Sequence, residues 1–122
     1  MQVVHRRQSA ADERLLAEDV WTADTLLRRM VGLMGRRPLE PGEAVVFRLR
    51  RSADRRIHTM FVRGAIDVIW IEAERVTAVE TFSPWSLGAS NPADTVIELP
   101  AGRAEAVEPG DIVRLDRATN GT

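Results

Sequence analysis

The sequence predicts an α+β domain that is mainly antiparallel β: a barrel-like sheet of about seven strands, one packed helix and one short helical turn. Three observations predict it. Residues 57–82 form the longest strand-like stretch, IHTMFVRGAIDVIWI, a charged break EAER, and then VTAVETF. Leu26, Leu27, Met30, Val31 and Met34 recur at the spacing of one buried helix face. The remaining short apolar runs are punctuated by Pro-Gly pairs at 41–42 and 109–110, which mark turns.

Taken in order, residues 2–7 read as a short edge strand around Val3 and Val4, and residues 8–13 as a polar turn. RLLAEDVW, 14–21, reads as an extended segment feeding a helix over about 23–33. Thr22 or Asp24 can supply its N-cap, because either side-chain oxygen can accept from the free N–H groups of a first turn. Gly35 is a plausible left-handed stop, and Pro38 ends the helix firmly. Residues 44–49 form a strand, 50–56 a polar connection and 57–62 another short strand, with Gly64 as a break or bulge.

Within 65–71, Ile66, Val68 and Trp70 share one face while Asp67, Ile69 and Ile71 share the other, since strand side chains alternate. A strand apolar on both faces belongs in the middle of a sheet, or in a closed barrel packed by something outside. Residues 76–82 return as a hairpin. The Ala-Glu turn lacks the Gly or Asn of a tight primed turn, so three to five loop residues are expected. SPWSLGASNPAD, 83–94, reads as a twelve-residue loop carrying Trp85. TVIEL, 95–99, is a strand stopped by Pro100-Ala101-Gly102; 103–107 form one helical turn, and DIVRL, 111–115, is the last strand. A single domain over 1–116 with a tail at 117–122 follows.

Composition narrows the chemistry. The chain has 122 residues, 44% of them hydrophobic, enough for one core. It has no cysteine, which excludes disulfides, thiolate metal sites and a thiol nucleophile, and only His5 and His58 as histidines. No Gly-x-Ser-x-Gly or lysine-bearing phosphate loop is present; the chain has no lysine at all. The N-terminal MQVVHRRQSAADER has no apolar run after its arginines, and no stretch approaches a membrane span, so a cytoplasmic location is expected. Ten arginines and three acids lie between 28 and 63, against four arginines and ten acids afterwards. That basic segment would suit nucleic acid only if its arginines converged on one face, and solvated positions scattered over several elements are the simpler reading.

The stretches RRMVGLMGRRPL, EAVVF, IHTMFVRGAIDVIWI and VIELPAGRAEAVEPGDIVRL, in that order, resemble the domain-of-unknown-function family 192 over about residues 20–115. The most telling pieces are Gly32-Leu33-Met34, Ile66-Asp67-Val68, and Glu98-Leu99-Pro100-Ala101-Gly102 followed by Gly110-Asp111. The resemblance implies a compact, mostly antiparallel, barrel-like β domain with a helix packed on it, and no established reaction. Many relatives carry Trp-Met-Lys-Asn before the core strand. Here His58-Thr59-Met60-Phe61 stands there, so a role for that tryptophan or lysine does not transfer.

Asp67 is the residue out of place. An ionised carboxylate in an apolar layer needs a cation or several N–H donors, or it takes up a proton. It could be a general acid or base, or a structural acid accepting from Arg28, Arg29 or backbone N–H groups. His58 could pair with Asp67 or Glu98, though no His spacing supports a metal site, and neither metal nor cofactor is expected. Trp85 could cover a ligand and Arg63 could face an anion at the same mouth. The favoured expectation is a non-catalytic module that binds a small ligand or a protein through one end of the barrel, near His58, Arg63, Asp67, Trp85, Glu98 and Arg28. The alternatives are a hydrolase or lyase with an Asp or Glu base, and nucleic-acid binding through 28–63.

Overall fold

A computed structural model describes residues 1–9, 11–23, 39–57, 64–83 and 89–117. Eight strands run through them: β1 (Gln2–Arg6), β2 (Glu13–Ala17), β3 (Asp19–Ala23), β4 (Glu43–Ile57), β5 (Ile66–Glu72), β6 (Arg75–Phe82), β7 (Ala89–Pro100) and β8 (Ile112–Asp116). All belong to one sheet in the order β2-β1-β8-β6-β5-β7-β4-β3. Every pairing is antiparallel except β3 with β4.

This corrects the expected class. Among the described residues every regular element is a strand, so the α+β reading with about seven strands gives way to an all-β sheet of eight. The helix expected over 23–33 lies outside the described residues apart from Ala23, which ends β3. Thr22 is not a helix cap but a strand residue opposite Val46. The expected helical turn over 103–107 is a run of turns closed by i to i−3 bonds, Arg103 N to Pro100 O, Glu105 N to Gly102 O and Val107 N to Ala104 O. Without i to i−4 bonds it is no α-helix.

Nor is the barrel closed, because β2 and β3 end the order without pairing to each other. Yet only Glu18 separates these two outermost strands. Eight flat strands would span roughly 33 Å at about 4.8 Å each, whereas two successive residues reach about 7 Å. The sheet therefore curls until its first and last strands meet at this corner. Glu18 N and Asp19 N both donate to Gly42 O there, at 3.0 and 2.9 Å.

The curled sheet is apolar on both sides. Val3, Leu16, Ala44, Val46, Ile69, Ile71, Ile97, Leu99 and Val113 pack on the inner face. Val45, Phe47, Ile66, Val68, Trp70, Phe82 and Val96 pack on the other, where Trp70 and Phe82 meet edge to face at 6.1 Å. The alternation read from 65–71 is thus observed, and β5 sits between β6 and β7 as expected for a strand buried on both faces. Burial at about 25 cal/mol per Å² of apolar surface holds both layers.

Other boundaries shifted. Residues 2–6 are internal, between β2 and β8, because His5 and Val3 bury against the core. Residues 50–56 are not a connection but part of β4, and 89–94 belong to β7, so the two form a long antiparallel arm from Ala53 opposite Ala93 to Ile57 opposite Ala89. The polar composition of both stretches hid them. The β5–β6 turn is two residues, not three to five: Ala73 and Glu74 both hold positive φ, 51° and 68°. Two contacts hold it: Ala73 N donates to Asp94 Oδ2 at 2.9 Å, and Val113 N donates to Glu74 O at 3.0 Å.

Left-handed conformations cost L-residues roughly 1–2 kcal/mol each, so this turn stores strain. Replacing Ala73-Glu74 by Asn-Gly should stabilise the protein by about 1 kcal/mol or more and raise its melting temperature by about 3–6 °C. An unchanged or lower melting temperature would show that the turn is not of this type.

Candidate functional site

The chain between β7 and β8 carries the first part of the site. These strands are separated by β5 and β6, so residues 101–111 must cross the inner face. Ala104 and Val107 drop into the inner core as they cross. Asp67 fastens the beginning of the crossing. Its Oδ2 accepts from Gly102 N at 3.0 Å and Ala104 N at 2.8 Å, and its Oδ1 accepts from Thr81 at 2.6 Å. The side chain is buried, so these donors replace the water an ionised carboxylate needs. Backbone N–H groups, among the structural partners expected, meet one oxygen, and the Thr81 hydroxyl meets the other.

Asp111 fastens the end. Glu108-Pro109-Gly110-Asp111 is a tight turn closed by Asp111 N to Glu108 O at 3.1 Å, with Gly110 at φ 93°, a value that suits glycine. The Asp111 carboxylate reaches back to Glu108 N at 3.0 Å, takes Gln8 N at 3.0 Å, and meets His5 Nε2 at 2.8 Å. Burial pushes this carboxyl up, but the His5 bond and the two backbone N–H groups outweigh it and hold the group below its ordinary 3.8. An ionised Asp111 only accepts, so His5 carries its proton on Nε2. Sequence reasoning missed this pair: it offers only His58 as a candidate histidine, yet His5 is wholly buried in β1. The Gly110-Asp111 dipeptide was the available signal.

Of the expected site residues, Arg28, His58, Arg63 and Trp85 lie outside the described residues. Asp67 and Glu98 are described, and the sheet separates them. Asp67 faces inward opposite Leu99, while Glu98 lies opposite Val68 and Val45 on the other face, wholly buried. The two carboxylates therefore do not converge on one site. Among the described residues no group of three or more His, Asp and Glu could hold a metal ion.

At the opposite end of β5 the inner face opens. A cleft of about 320 Å³ is lined by Ile71, Ile97, Val113 and Leu115, with Arg48, Asp94 and Thr95 at its rim. The β4–β7 ladder breaks there: Arg48 pairs with Thr95 and the next pair is Ala53 with Ala93, so 49–52 bulge opposite Asp94 alone. The strained Ala73-Glu74 turn forms another wall. Arg114, also at the rim, is saturated by Glu13 and Asp116, whose carboxylates hold its proton more firmly than usual. Asp94 is likewise occupied, by Ala73 N and the Thr95 hydroxyl. Arg48 is exposed and has no ion-pair partner among the described residues.

Two expectations test the fastening. Asp67→Leu strands two N–H groups and a hydroxyl and should cost about 3 kcal/mol or more. Asp67→Asn can keep all three contacts, with Thr81 turning to accept, and should cost less than about 1.5 kcal/mol. Equal losses in urea titrations would contradict the contact set. Asp111 is depressed in the folded state, so its contribution is full above its ordinary 3.8 and fades as pH falls through the lower folded value. The stability gap between wild type and Asp111→Asn should hold near pH 5 and shrink toward pH 2. A gap independent of pH would show that the charge contributes nothing.

Comparison with known proteins places this architecture. Two solved structures share it: a protein of unknown function from Novosphingobium aromaticivorans, with TM-score 0.78 and 20% identity over 94% of this chain and 84% of that one, and a Sinorhizobium meliloti protein provisionally described as a transcription regulator, with TM-score 0.77 and 23% identity over 93% and 92%. At these identities they show the fold alone. Among curated relatives, a UPF0127 protein of Pyrococcus furiosus is 33% identical over 81% of this chain and 88% of its own length. Another, of Pyrococcus abyssi, is 36% identical over 75% and 80%. No helix among the described residues is long and apolar enough to cross a membrane. The sequence pattern of the domain-of-unknown-function family 192, described as "Uncharacterized ACR", matches residues 7–115, and the chain belongs to that uncharacterised family.

Proposed function

We propose that this domain is a non-catalytic binding module that takes a small ligand in the cleft beside the 49–52 bulge. One observation carries the reading: the β4–β7 ladder, otherwise continuous, is interrupted at the cleft rim, where Arg48 has no carboxylate partner among the described residues. Bulges of this kind re-aim side chains next to functional sites. Arg48 follows Ala44 and Val46 on the inward side of β4, so its guanidinium stands over Ile71, Ile97 and Val113. An apolar body with an anionic group suits that arrangement. A hydrolase or lyase finds less support, because the acids proposed as its base are committed or inaccessible. Asp67 accepts three hydrogen bonds, and Glu98 has no exposed surface.

The aryl sulfonate 8-anilinonaphthalene-1-sulfonate has the required shape and charge. It should bind saturably to the folded protein, and Arg48→Glu should weaken it about tenfold or more, about 1.4 kcal/mol, without lowering the melting temperature. No saturable fluorescence, or equal affinity in Arg48→Glu, would contradict the reading.

A further inference from the structure

A second group of arginines meets where the two carboxylate-fastened pieces of backbone come together. Arg7 follows β1, Arg14 lies in β2 and Arg103 belongs to the 101–111 crossing; with Gly102, Glu105 and Ala106 they line a cleft of about 380 Å³. Strand alternation puts Arg14 on the side of Leu16, and Arg7 continues the side of Val3 and His5. Both therefore project on the core-facing side of the sheet, beside the inserted Ala104 and Val107. Arg103 is oriented by its Nε, which donates to Leu16 O at 2.9 Å. That contact leaves the two terminal nitrogens for a planar, two-pronged contact.

Three guanidinium groups face one carboxylate, Glu105, in this cleft, in a chain whose overall charge is −1. None of the three is in an ion pair among the described residues, whereas Arg114 is held by two acids. Arginine forks match tetrahedral oxyanions, and two positive charges in excess match a dianion better than a carboxylate. We propose that Arg7, Arg14 and Arg103 form a binding site for a phosphate dianion, carried as a small phosphate monoester or as free phosphate. Asp67 and Asp111 are positioning residues for this site: they touch no ligand but hold the ends of the segment that presents Arg103. The site shares no residue with the cleft at Arg48, so each stands or falls alone.

Glycerol 3-phosphate and inorganic phosphate, titrated separately at low ionic strength and followed by amide shifts of Gly102, Glu105 and Ala106, test it. Saturable binding is expected for at least one, weakened tenfold or more by Arg14→Ala and by Arg103→Ala, and unchanged in Arg48→Glu and Arg117→Ala. Tighter binding of the monoester would identify an organic phosphate as ligand; equal binding would identify the phosphate group alone. The Arg14 side chain is exposed, so its removal tests binding without unfolding the protein. Absence of saturable binding to both compounds would overturn the proposal. So would losses in Arg117→Ala as large as in Arg14→Ala, which would mark diffuse charge attraction.

Discussion

The buried carboxylate of Asp67 is the constraint from which the rest of the inner face follows. A charge placed beside Ile69 and Leu99 must be met by donors. The donors nearest to hand belong to the segment that has to cross the sheet from β7 to β8. By collecting Gly102 N and Ala104 N, Asp67 turns an exposed stretch rich in small residues into a fixed insert, with Ala104 and Val107 completing the core. Asp111 repeats the device at the far end and adds the buried His5 of β1. One segment thereby ties β1, β5 and β8 together through polar contacts inside an apolar layer, and a half-satisfied version would be worse than none.

The same turn chemistry appears at the other corner. Glu40-Pro41-Gly42-Glu43 closes with Glu43 N to Glu40 O at 2.9 Å, and the Glu43 carboxylate returns to Glu40 N at 2.7 Å. Gly42, at φ 91°, then offers its carbonyl to Glu18 and Asp19, where the outermost strands join. Two Glu-Pro-Gly-acid turns therefore anchor the curl, one at the β2–β3 corner and one at the entry to β8. Each uses the fourth residue's acid to satisfy the first residue's N–H.

Much of this was legible. The alternation Ile66 to Ile71 announced a central strand, the out-of-place Asp67 announced a buried acid needing donors, and Pro41-Gly42 and Pro109-Gly110 announced turns. What was not legible was set by tertiary contacts that leave little local pattern. The polar half of β4 and the start of β7 hold each other by backbone pairing, and neither stretch shows apolar alternation in its sequence. Residues 14–21 carry a break at Glu18 that sends the chain to opposite edges of the sheet, with β3 lying parallel to β4, which no single-segment period can encode. The Ala-Glu turn contradicts its own propensities because Asp94 and Val113 hold its backbone. His5 carried no local sign of its role because its partner lies 106 residues away.

If Asp67 fixes the crossing segment as described, the amide protons of Gly102 and Ala104 should exchange with solvent only when the whole protein unfolds. Gly102 is solvent-exposed, so nothing but that carboxylate would shield its amide. Native-state hydrogen exchange followed by NMR measures this directly. The account predicts opening free energies for both amides equal to those of Val68 and Ile69 in β5. Exchange at the rate of an open surface turn would contradict it.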